Sequence, residues 1–90
     1  MSASTYPKIK NSLTRLAYLL SQTTRPELGE ATIDALQYHG KDDEKFLSQS
    51  QAALQKILNF QNILPKEIYL LALATFEEAE HHRAKITTCK

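Results

Sequence analysis

Glycine, proline and cysteine are scarce in this chain, and each scarcity removes a class of protein. Two Gly and three Pro in 90 residues are too few for an all-β fold built from many short strands and Gly/Pro-rich turns. No segment alternates apolar and polar residues for long enough to compete as a strand. The lone Cys89 excludes an internal disulfide, and next to the C-terminal Lys90 it reads as an inert free thiol on a frayed tail. No apolar run approaches the roughly 18 residues of a membrane span, and the N-terminus lacks the apolar region of a secretory signal. These absences together predict a cytoplasmic protein with no membrane partner.

Signatures of chemistry are missing too. The sequence has no Gly-rich phosphate loop, no Gly-x-Ser-x-Gly elbow and no cysteine near a histidine in a structured segment, so no enzyme and no cofactor are expected. Glu78-Ala79-Glu80-His81 has the Glu-x-x-His spacing of carboxylate-bridged di-iron bundles. A complete site needs a second such pair, yet the residue three before His39 is Leu36, so no metal is expected. His81 and His82 lie in a polar turn and are expected to face water.

Residues 1–25 contain no acid and carry Lys8, Lys10, Arg15 and Arg25, whereas residues 27–45 carry Glu27, Glu30, Asp34, Asp42, Asp43 and Glu44 against Lys41 and Lys45. If the first two helices lie side by side, the asymmetry is an internal complementarity, worth little per exposed pair; if not, it offers opposite patches to a partner. The basic segment suggests, as an alternative function, a nucleic-acid-associated transcriptional regulator. A DNA reader normally has a basic recognition helix. Here the last helix is apolar at its centre and acidic beyond, which repels phosphate and makes nucleic acid an unlikely partner.

What is present is an ordinary globular balance, 42% hydrophobic and 23% charged, read as one helical domain over 1–90 with 1–5 and 87–90 frayed. Ser4 or Thr5 can cap a first helix with Pro7 in its first turn, and Ile9, Leu13, Leu16, Ala17 and Leu20 recur at helical spacing. It should end near Ser21, ahead of Pro26. A second, weaker helix from Pro26 to His39 carries Leu28, Ala31, Ala35 and His39 and stops at Gly40, with Gly29 as its least helical residue. A third opens on the acidic turn Lys41-Asp42-Asp43-Glu44. It bears two stripes, Phe46, Ser50, Ala53, Ile57, Phe60 and Leu64 beside Leu47, Leu54 and Leu58, wider than one antiparallel neighbour needs. Pro65 breaks the chain before a fourth helix running to about Ile86, with Ile68, Ala72, Phe76, Ala79, Arg83 and Ile86 on one stripe and Tyr69, Leu70 and Leu73 around the back.

This pattern predicts an all-α fold, three to four helices in an antiparallel hairpin array or small bundle. The run Ile68-Tyr69-Leu70-Leu71-Ala72-Leu73-Ala74-Thr75-Phe76 is apolar nearly all round, so it must bury more than one face. Such an excess points to a protein partner or homo-oligomer. The expected core is Ile9, Leu13, Leu16, Ile57, Leu71, Ala72 and Phe76. The expected contact residues are Leu47, Leu54, Leu58, Tyr69, Leu70 and Leu73. Replacing Leu70 and Leu73 with Ser should then disrupt assembly and leave helicity intact.

Two stretches carry family likenesses. Tyr69-x-x-Ala72-x-x-x-Phe76-x-x-Ala79 resembles the second helix of a tetratricopeptide repeat, although Phe60 stands where that repeat expects Gly. Phe46-Leu47-x-Gln49-x-x-x-Ala53-Leu54, preceded by Gly40 and an acidic turn, resembles the C-terminal helix of small needle-subunit co-chaperones of type III secretion. Both likenesses point to binding, and the second implies a cytosolic chaperone that keeps a secreted or polymerising subunit monomeric through helix-in-groove contact. The expected function is that of a small chaperone, adaptor or regulator acting by protein–protein contact.

Overall fold

The computed structural model describes residues 6–88, with side chains described from Tyr6 to Lys85. The candidate caps Ser4 and Thr5, the Cys89 thiol and the side chain of Ile86 lie outside the described residues. The chain forms α1 (Pro7–Ser21), α2 (Pro26–Leu36), α3 (Asp43–Leu58) and α4 (Lys66–Thr88), and no strand occurs among the described residues. Successive helices pack on one another and α4 returns to α1, so each helix has two neighbours in a four-membered ring. The Cα radius of gyration is 12.7 Å, close to the roughly 12 Å expected of a compact chain of this length.

Local chemistry sets the corners. Tyr6 precedes Pro7 in a left-handed conformation, φ 55 and ψ 52, and its carbonyl accepts the Lys10 amide at 3.0 Å to start α1. At the end of α1 the Thr23 hydroxyl donates to the Leu20 carbonyl at 2.7 Å and accepts from the Arg25 amide at 3.1 Å, turning the chain into Pro26. α2 is shorter than the sequence predicts. It ends at Leu36, because residues 37–39 tighten into i→i+3 turns and Gly40 takes φ 80, letting the amides of Lys41 and Asp42 both donate to the Tyr38 carbonyl. Asp42 then caps α3, its Oδ1 accepting the Lys45 amide at 3.0 Å. α3 also stops early, at Leu58. The next residues wind down through tight turns, Phe60 to Ile57 and Gln61 to Leu58, until Pro65 forbids a continuous rod.

The core is one cluster along the ring axis. Ile9, Leu13, Leu16 and Leu20 from α1 meet Leu28 and Ala35 from α2, Phe46, Leu47, Leu54 and Ile57 from α3, and Ile68, Ala72 and Ala79 from α4. Leu71 and Phe76, expected inside, sit half-buried at its margin. Three small polar residues are also buried, and each answers its own helix. The hydroxyls of Thr32, Ser50 and Thr75 donate to the carbonyls of Gly29, Phe46 and Leu71 at 2.7, 2.6 and 2.7 Å, which removes the penalty of a lone buried hydroxyl.

The inward face of α2 therefore differs from the sequence reading. Leu28, Gly29, Thr32 and Ala35 are buried while Ala31 is only half-buried. Gly29 has a packing role that explains its place in a helix. A Cβ there would stand 3.1 Å from the Ala17 carbonyl oxygen, so glycine lets α2 approach the α1 backbone this closely without a shift of a few tenths of an ångström.

Candidate protein-docking surface

The six residues expected to contact a partner divide sharply by position. Leu47 and Leu54 have no accessible surface, which corrects their assignment: they belong to the core. The sequence reading set the two stripes of α3 against one neighbour, whereas the ring places α2 on one flank and α4 on the other. Both stripes are thereby consumed. Leu58 lies half-buried against the core's edge, Tyr69 and Leu73 are half-buried on α4, and Leu70 keeps half its surface in water.

α4 thus carries a surplus apolar face. Its inner stripe of Ile68, Ala72, Thr75 and Ala79 is buried, and Leu70 lies about 200° around the helix from Ile68. Leu73 follows three residues on and exposed Ala74 flanks both. The strip extends in both directions at helical spacing, to Lys66 before Leu70 and to Glu77 after Leu73, both exposed. The other exposed large apolar residues, Tyr18, Ile33 and Ile63, lie on other elements, and single exposed apolar residues are common on protein surfaces.

Beside this strip runs the seam between α1 and α4, the pair of neighbours in least contact. Lys8, Ile9 and Ser12 face Leu71, Ala74, Thr75 and Glu78 across a hollow of about 150 Å³. Toward the end of the bundle the same seam widens to about 450 Å³ between Tyr6, Pro7, Ile9 and His82. There the aromatic rings gather. Tyr6 lies 4.6 Å from His82 and 6.4 Å from Phe46 between centroids, and His39 meets the Phe46 edge at 5.1 Å. These contacts hold the left-handed Tyr6 in place. Burial, and secondarily the Asp43 carboxylate, push its phenol above its ordinary pKa.

The charged residues separate in the same way. Glu78 pairs at 3.1 Å with His82, one residue beyond the His81 that the sequence pattern had singled out. His82 is half-buried beside the Tyr6 ring, while His81 is exposed. Among the described residues no group of three ligating side chains converges. Lys8 lines the α4 seam, and Lys10 projects about 200° from it, so the basic residues of α1 form no single phosphate-tracking strip. The complementary charges of α1 and α2 are not joined by an ion pair among the described residues, where Arg25 bridges to Glu27 at 3.3 Å and lies over the Phe60 ring at 4.8 Å. Among the described residues no helix is long and apolar enough to cross a membrane.

Comparison of the chain with protein-family models, with curated proteins and with solved structures gives no match.

Proposed function

We propose that this chain is a protein-docking module, a small chaperone, adaptor or regulator that holds a helical protein segment on the outer strip of α4. The observation that carries the reading is Leu70, half in water beside Leu73 and Ala74 on a helix whose inner stripe already completes the core. Burying a leucine is worth about 1.5–3 kcal/mol, so a partner that covers the strip recovers what the fold leaves exposed. The tetratricopeptide likeness supports this direction. Its residues Tyr69, Ala72, Phe76 and Ala79 are buried or half-buried, which leaves the opposite side of α4 for contact. The co-chaperone likeness falls on α3, where Phe46, Leu47 and Leu54 are sealed, so docking belongs to α4. No cofactor and no bond-making step enter this function.

The test is retention on the immobilised full chain, wild type against Leu70→Asp, from an extract of the source cells supplemented with untagged chain. A protein held by the wild type and lost from the variant, with helical circular dichroism unchanged, is the expected result. Identical retention by both would remove α4 as the docking face.

A further inference from the structure

We infer that the occupant of the α4 strip is the same strip of a second copy of this chain, packed antiparallel about a two-fold axis. The inference rests on the docking reading above and names its partner. The strip reads Lys66, Leu70, Leu73, Glu77, spaced four, three and four residues apart, with a cation at one end and a carboxylate at the other. Laid antiparallel on itself, Leu70 faces Leu73 of the copy, Leu73 faces its Leu70, and Lys66 meets Glu77 at both ends. A parallel pairing would instead set Lys66 against Lys66 and Glu77 against Glu77. Exposed ion pairs add little attraction while like charges opposed across an interface are rejected, so the charges fix direction and the leucines hold the contact.

Three further observations agree. The side chains of Lys66 and Glu77 engage no hydrogen-bond or ion-pair partner among the described residues. Exposed Ala74 beside the leucines lets two helix backbones come close. The strip lies on the outer side of α4, away from the α1 and α3 neighbours, and a self-complementary patch is what a two-fold interface requires.

The experiment is light scattering and sedimentation equilibrium of the purified full chain from about 10 μM to about 1 mM, the range in which a small interface associates. The wild-type mass should rise toward that of a dimer. Lys66→Glu and Glu77→Lys should each weaken dimerisation by roughly tenfold or more, because each creates two like-charge contacts. An equimolar mixture of the two variants should dimerise again, as should the double variant K66E/E77K. Both substitutions are at exposed positions, and an acid in the first turn of α4 suits the helix dipole, so the fold is kept. A wild type that stays monomeric throughout, or charge reversals without effect, overturns self-pairing. A monomer that still retains a foreign protein lost with Leu70→Asp leaves the docking reading standing, whereas a monomer that retains nothing overturns both.

Discussion

The two seams that α1 makes are built on opposite terms. Toward α2 it meets Gly29, at a backbone approach where a Cβ would stand 3.1 Å from the Ala17 carbonyl oxygen, tighter than ordinary contact. Toward α4 it meets Leu71, Thr75 and Glu78 across a hollow, with Lys8 and Ser12 on its own side. Small residues permit close contact and tolerate no added bulk. Larger side chains that meet at their edges leave space and bend to substitution. The comparison locates rigidity at α1–α2 and adaptability at α1–α4, next to the exposed strip.

Breaking the tight seam should have the largest effect. Gly29→Leu forces a side chain against the Ala17 carbonyl and should cost roughly 3 kcal/mol or more, at the upper end of overpacking, read as a fall in the urea midpoint. Gly40→Ala serves as its control. Nothing lies within 4 Å of a Cβ there, so only the positive φ is penalised, about 1 kcal/mol. At the open seam Leu71→Ala should cost about 1–2 kcal/mol, because its side chain is only half-buried and the core values of 2–5 kcal/mol do not apply. On the strip itself Leu70→Ser should change the stability of the dilute monomer by no more than about 0.5 kcal/mol, and a loss that grows with protein concentration would come from the self-paired state.

The smallest effect concerns pH. The Tyr6 phenol has a raised pKa in the folded chain, so the stability it contributes is complete below its unfolded value and is lost as pH rises through the folded one. Wild type should lose stability on the alkaline side of about pH 10 more steeply than Tyr6→Phe. Equal slopes in paired urea titrations would show that Tyr6 plays no part in the alkaline limb.

Much of this architecture is legible in the sequence, because it is written locally. The Ile9–Leu13–Leu16 stripe, the end of α1 at Ser21, the acidic opening of α3 and the Pro65 break all follow from neighbours along the chain, whereas α2 ends short of the expected Gly40. What was not legible depends on closure of the ring. Whether Leu47 and Leu54 face water or core is decided by α2 and α4 flanking α3 together, which no periodicity encodes. Thr32 hides because its hydroxyl returns to its own helix, and no pattern of apolar residues marks it. The tilted contact of the Tyr6 and His82 rings joins the two ends of the described chain, and Glu78 pairs with His82 one turn away on α4. Leu58, Tyr69, Leu70 and Leu73 stay at or near the surface where the sequence placed them, and the three on α4 were readable solely as an excess of apolar residues on one helix.

The ring has one further consequence, in time. Three of its seams join helices linked by connectors a few residues long, which close quickly and at small entropic cost. The fourth, α1 against α4, has no connector and gathers contacts from opposite ends of the chain, Tyr6 on His82 among them. It should therefore form after the rate-limiting step of folding. Substitutions at that seam, such as Ile9→Val, should speed unfolding and leave refolding almost unchanged, so that the edge beside the exposed α4 strip should be the part of the molecule that opens first and closes last.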